Sequence, residues 1–251
     1  SYPAWLDGPR HAQPFRQIVR TLGSGLSVCW RRRPLRRVLV ESMAFEGLYK
    51  SSKDYIQPVI QFAVVAIPVA TWLSGAQRSA VAISAVAMFI SLCSSVASRR
   101  AGRLTDRAGS DQRAGRWLWA ADLTSFAIMG VGIALGVPVV IVVAFVALAI
   151  VQNLWKPILV SRVATLCDAE HTATVLSVNS QACSLFVVVA APLIGWSVDS
   201  IRVMVADTGA IAWWRFAPLA ALGLLVSLAM IAWRQPRQAE GPCEAAGPGV
   251  A

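Results

Sequence analysis

From Leu123 to Trp155 the chain reads LTSFAIMGVGIALGVPVVIVVAFVALAIVQNLW, 33 residues without one charged side chain. A hydrocarbon core roughly 30 Å thick is crossed by about 20 residues of helix, so the stretch is too long for one crossing and suits two. Gly136, Val137 and Pro138 divide it, a combination that ends one helix and opens the next. The reading is a hairpin of two membrane-spanning helices.

The pattern recurs on both sides of the hairpin. Ser79 to Ser98, Thr172 to Val198 and Phe216 to Trp233 are also free of Asp, Glu, Lys and Arg. Of the 251 residues 56% are hydrophobic and 14% charged, and the mean hydropathy is +0.58, far from the balance of a soluble domain. Four such runs cannot all be buried helices of one small globule. The second span is expected near Ser79 to Ser98, the third from Trp117 to Gly136, the fourth from Pro138 to Leu159, the fifth from Ala173 to Val198 and the sixth from Ala212 to Trp233.

The first span is the least regular, running from Leu35 to Trp72 with Glu46, Lys50, Lys53, Asp54, Pro58 and Pro68 inside it. It reads as one broken crossing, because two crossings there would invert everything downstream, and charge decides between the two. With one crossing, the inner segments hold 18 of the 23 Lys and Arg and the outer ones five. That asymmetry is what the positive-inside rule expects of a cytoplasmic (inner) membrane protein with both termini cytosolic. The fold expectation is an all-α membrane protein: six transmembrane helices in one bundle over residues 35–233, a cytoplasmic linker over 1–34, and a disordered cytoplasmic tail over 234–251.

In the linker, Phe15, Ile18, Val19, Leu22, Leu26, Cys29 and Trp30 recur at helical spacing opposite Arg16, Gln17 and Arg20, which suits a helix lying in the membrane interface. Arg31, Arg32, Arg33, Arg36 and Arg37 follow as a basic collar. Trp117, Trp119, Trp213, Trp214 and Trp233 fall near span ends, where an indole keeps its ring in lipid and its N–H wet. The net charge of +10 belongs to the membrane's inner surface rather than to nucleic acid, because no solvated basic domain exists to hold a nucleic-acid face. Five cysteines without ligand spacing indicate neither a metal site nor a disulfide framework, and no cofactor motif is present.

Between the second and third spans stand Gly102, Arg103, Leu104, Thr105, Asp106, Arg107, Ala108 and Gly109. The segment resembles the GxLaDrxGrk loop of the major facilitator superfamily, which joins spans two and three and recurs between spans eight and nine. After Gly109 the sequence departs from that pattern, with Ser110 and Asp111 in place of the basic pair. The arginine-rich opening resembles the family's central linker, Tyr55 to Pro58 the end of its seventh span, and Ala173 to Ser177 with Ala191 to Gly195 and Asp199 its eleventh. The resemblance covers Phe15 to Trp233 and selects the C-terminal six-helix half. It implies alternating access between two bundles, with Gly102, Leu104, Asp106, Arg107 and Gly109 as a conformational loop in which Asp106 is a breakable clasp against a neighbouring helix end.

Ionisable groups at membrane depth are costly and point to function. Glu46, Lys50, Lys53, Asp54 and Gln57 lie within about 100° of one helix face, and Glu46/Lys50 and Lys50/Asp54 are spaced to pair. Counting rises from the nearest basic residues puts Glu46, Asn153 and Asn179 about 13 Å in, on one level. Together with Lys156 and Gln181 these are the candidate pathway residues, and Glu46 is the candidate carrier of a coupling proton. The bland alternatives are a self-neutralising Glu46–Lys50 pair and interhelical bonds of the two asparagines. Glu41 and Asp122 are shallow and read as structural. Asp168, Glu170 and His171 read as a solvated loop.

The function expected is secondary active transport of a small solute, proton-coupled if Glu46 serves it. Six helices alone cannot form a two-bundle cleft, so the expected partners are membrane lipid, the solute, and a missing N-terminal half or a second copy. The alternative is a membrane scaffold or partner subunit that transports nothing. A membrane enzyme lacks any His/Asp, Ser/His or metal constellation at usable spacing.

Overall fold

In the computed structural model residues 32–66, 72–167, 169–204 and 210–233 are described, and every element among them is helical. α1 (Arg33–Lys53) and α2 (Ile56–Ala66) are separated by a turn at Asp54 and Tyr55. Then come α3 (Gly75–Ala108), α4 (Asp111–Leu135), α5 (Pro138–Leu166) and α6 (Ala169–Met204), and a 3-10 stretch (Ala210–Phe216) leads into α7 (Ala217–Ala232). The interfacial helix expected between Phe15 and Trp30, the collar's Arg31, Pro68, and the tail from Arg234 lie outside the described residues.

Among the described residues five segments are long and apolar enough to cross a membrane: Gly75–Ala108, Asp111–Leu135, Pro138–Leu166, Thr172–Met204 and Ala212–Ala232. The chain is thus an all-helical, multi-pass membrane protein. α1 and α2 are not among the five, since charge interrupts α1 and α2 has only 11 residues. Pro58 sits in the first turn of α2, where no intrahelical partner for its missing N–H is needed.

The helices end where their sequences stop them, and they overrun the apolar runs. Ser74 and Gln77 form a reciprocal capping box at the start of α3. At its other end Gly109 takes a left-handed conformation (φ 71°), and Ser110 caps α4 by accepting from the Arg113 N–H at 3.3 Å. Gly102 to Ala108, read from sequence as part of a loop, are the last two turns of α3, and the connection shrinks to Gly109 and Ser110. The Gly136–Pro138 hairpin forms as expected, with Gly136 at φ 66° and Pro138 opening α5.

Cross-helix contacts fix direction. The Cys183 thiol donates to the Ser42 carbonyl at 3.8 Å, the Phe186 ring lies against Gly47, and the Tyr55 hydroxyl lies beside Gly195. Residue numbers rise together on both sides, so α1–α2 runs parallel to α6 along its middle. α5 runs antiparallel to α1, with Arg162 against Glu41 and Trp155 stacked on Phe45 at 4.4 Å. α4 and α7 are antiparallel too, through Asp122 with Ser227 and Phe126 with Gly223. The chain therefore threads back and forth, and α1, the most buried element by its residue pattern, lies inside the bundle with α5 and α6 against it.

Two apolar clusters fill the interior. The first gathers Leu35, Leu39, Phe45, Trp119, Trp155 and Val175 near the start of α1; the second gathers Val59, Phe126, Ile133, Phe145, Trp213 and Leu219 toward the opposite end. Phe45 is the hinge of the first, stacked on Trp155 and edge-on to Trp119 at 4.9 Å.

Candidate functional site

Glu46 is buried on α1, where the Ser42 hydroxyl donates to its Oε1 at 3.3 Å and the Lys50 ammonium lies 3.8 Å from Oε2. Lys50 is half-exposed. Lys53 and Asp54 are exposed and lie 4.0 Å apart. Asp54 therefore pairs with its chain neighbour rather than with Lys50, because α1 ends at Lys53 and Asp54 is already its C-cap. Gln57 and Gln61 extend the exposed line along α2. Of the stripe expected from the sequence, Lys53, Asp54 and Gln57 are exposed, Lys50 is half-exposed and Glu46 is buried, with the turn at Asp54 and Tyr55 between the two helices.

The remaining pathway candidates separate. Asn153 precedes Trp155, the residue stacked on Phe45, and so shares Glu46's level. Its side-chain amide donates to the Ala149 carbonyl at 2.8 Å. Pro157, one turn on, cannot donate back to the Asn153 carbonyl, which leaves a main-chain acceptor on the same level. Lys156 on α5 and Gln181 on α6 are exposed. Asn179 belongs elsewhere: it lies one turn before Cys183 while Glu46 lies one turn after Ser42, so the two are about 11 Å apart along the axis. The single level expected for the three groups resolves into two tiers.

The lower tier holds residues that the sequence reading treated as structural or as depth markers. Arg162 Nη2 lies 2.7 Å from Glu41 Oε2, and the Trp119 indole donates to Glu41 Oε1 at 3.1 Å, with all three side chains buried. Arg162 Nη1 and Asn179 Oδ1 in this tier, and Trp155 Nε1 and Gln152 Oε1 nearer Glu46's level on α5, are buried without a hydrogen-bond partner among the described residues. The available sequence signal was the i, i+3, i+10 recurrence of Gln152, Trp155 and Arg162 on one side of α5.

In the loop motif, Asp106 lies exposed in the last turn of α3, not at a helix start. The carboxylate in the first turn of α4 is Asp111, and the Ser161 hydroxyl of α5 donates to it at 2.8 Å. Ser110 and Asp111 thus supply an N-cap and a tie to α5. Gly102, Arg103 and Arg107 are exposed, and Leu104 is packed against the first apolar cluster. Asp168 and the side chains of Glu170 and His171 lie outside the described residues, among which no group of His, Cys, Asp and Glu could hold a metal.

The faces of the bundle differ. Between Leu118 and Leu135 on α4, and along α7, the exposed side chains are apolar except Thr124, whose hydroxyl bonds the Ala120 carbonyl. α1–α2, α5 and α6 instead expose Lys53, Asp54, Gln57, Gln61, Lys156 and Gln181. No family model matches the chain, and no curated protein or solved structure matches it.

Proposed function

We propose that the chain is the C-terminal six-helix half of a secondary transporter of the major facilitator type. In this reading α1–α2 is a crossing too, the first of six, and a small solute moves across the cytoplasmic membrane by alternating access. One observation carries the proposal: Lys53, Asp54 and Gln57 are exposed and Lys50 is half-exposed on an element that runs beside the middle of the membrane-long α6, while α7 and α4 from Leu118 to Leu135 open only apolar surface apart from Thr124. Charges of both signs are stable at that depth when they border a water-filled cleft, not lipid. The second wall of the cleft is a missing N-terminal six-helix bundle or a second copy.

Glu46 and Asn153, level with each other, form the solute's central contact, and Glu46 carries the coupling proton. In this reading the end of the bundle holding Arg32, Arg103 and Arg107 faces the cytosol, the side on which the positive-inside rule expects both termini. The test is uptake into proteoliposomes carrying the chain together with the polypeptide encoded immediately upstream, using cationic, anionic and neutral solutes with and without a pH gradient. Uptake that requires both halves supports the proposal. Absence of uptake for every solute class in sealed vesicles rejects it and leaves a membrane scaffold as the better description.

A further inference from the structure

At the end of the bundle away from the Glu41–Arg162 pair, α2, the end of α6 and the 3-10 stretch enclose an open recess of about 450 Å³. That volume lies in the range that holds drug-sized ligands. Phe62 and Phe216 supply apolar wall, and Trp213 packs behind them, edge-on to Phe62 at 4.6 Å. The polar groups are Tyr55, Gln61, Asp199, Arg202 and Arg215.

The two arginines are held differently. Arg215 is fixed: its guanidinium lies 4.4 Å over the Phe62 ring and its Nε donates to the Ala212 carbonyl at 2.8 Å. Arg202 is exposed at the lip, and no ion pair involves it among the described residues. Among the described lining residues one carboxylate stands against two guanidinium groups, a net positive charge. A guanidinium fork matches the planar oxygens of a carboxylate or the oxygens of a phosphate, and a flat apolar body suits the phenylalanine wall. Gln61, a lining residue, lies one turn beyond the exposed Gln57 on α2.

We propose that this recess is an anion-binding site for a carboxylate or phosphate attached to an apolar, preferably aromatic, body, with Arg202 gripping the anionic head and Phe62 and Phe216 holding the body. The site stands on its own geometry and holds whether or not the chain moves solute.

The experiment is calorimetric titration of naphthoate into the full chain in neutral detergent, with naphthylmethylammonium as the cation of matched shape. Naphthoate binds and the ammonium does not. Arg202→Gln weakens naphthoate roughly tenfold, while Arg202→Lys recovers part of the loss. Gly102→Ala, remote from the recess and with nothing within 4 Å of its Cβ position, leaves binding unchanged, and because the readout is binding and not uptake, a failure of the transport reading does not disturb this one. Equal binding of the ammonium, no binding of naphthoate to the wild-type chain, or an Arg202→Gln variant that binds as well as wild type overturns the proposal. Repeating the titration in nanodiscs separates the two sources of the anion: competition by phosphatidylglycerol over phosphatidylcholine assigns the site to a lipid headgroup, and equal affinity in both assigns it to a free solute.

Discussion

Arg162 Nη2 and Glu41 Oε2 lie 2.7 Å apart with both side chains about 8% exposed, an ion pair that ties α5 to α1 across 121 residues of chain. Removing one partner of such a pair leaves an uncompensated buried charge, at a cost of about 3 to 5 kcal/mol, whereas replacing both costs less. Glu41→Ala is therefore expected to destabilise the folded chain by about 3 kcal/mol or more in SDS-titration unfolding from mixed micelles. Glu41→Ala with Arg162→Met is expected to lose less than the single variant. A double variant as unstable as the sum of the singles would remove the pair from the account.

That pair also marks the limit of what the sequence discloses. The long uncharged runs were legible because hydrophobic length is a local property, and the Gly136–Pro138 hairpin because its residues set their own backbone. The polar positions Glu46, Lys50 and Lys53 were legible by period because they lie on one helix, whereas the turn at Asp54 and Tyr55 that puts Gln57 on α2 was not. Arg162 was not, because its partner comes from another helix and a lone arginine near a span end reads as an interface anchor. Asn179 was misplaced for a related reason: counting from the nearest charge assumes that every span meets the membrane at the same residue, while α6 starts at Ala169 and runs 36 residues. Helix overrun likewise turned Gly102 to Ala108 from an expected loop into helix.

Close approach of two helices sets a second expectation. A Cβ on Gly223 would collide with the Phe126 ring, which is fully buried between α4 and α7. Gly223→Ala is expected to cost about 1 to 3 kcal/mol by overpacking, read in the same unfolding titration. Gly102→Ala is the control: nothing lies within 4 Å of its Cβ position and it sits in a helix, so that variant should match or slightly exceed wild type.

The clasp assigned to Asp106 is separable from the local ties at Asp111. Asp106 is exposed and its own bundle does not hold it, so Asp106→Asn should leave the stability of this chain unchanged within about 0.5 kcal/mol. If the chain is the half of a transporter proposed above, the same variant should shift the balance of inward- and outward-open states of the assembly with its other half, read by accessibility labelling. Asp111→Ala should do the reverse, lowering stability by about 0.5 to 1.5 kcal/mol through loss of the Ser161 bond and of the charge at the α4 start. An Asp106→Asn protein with wild-type labelling and wild-type uptake would leave the loop a plain turn.

Whether α1–α2 crosses the membrane is decided by the side on which its start emerges. Arg33, Gln77 and Arg103 are all exposed, near the beginning of α1, the beginning of α3 and the end of α3. α3 is long and apolar enough to cross, so residues 77 and 103 belong on opposite sides. If α1–α2 also crosses, residue 33 shares the side of residue 103; if it lies along one surface, residue 33 shares the side of residue 77. With the five native cysteines replaced by serine, single cysteines at the three positions are labelled in intact cells with an impermeant maleimide. The expected result is labelling of Gln77→Cys alone, with Arg33→Cys and Arg103→Cys reacting only after the membrane is opened. Labelling of Arg33→Cys in intact cells would mean that only the five apolar segments span, and it would place the Glu46 stripe outside the bilayer, where its charges need no cleft to be stable.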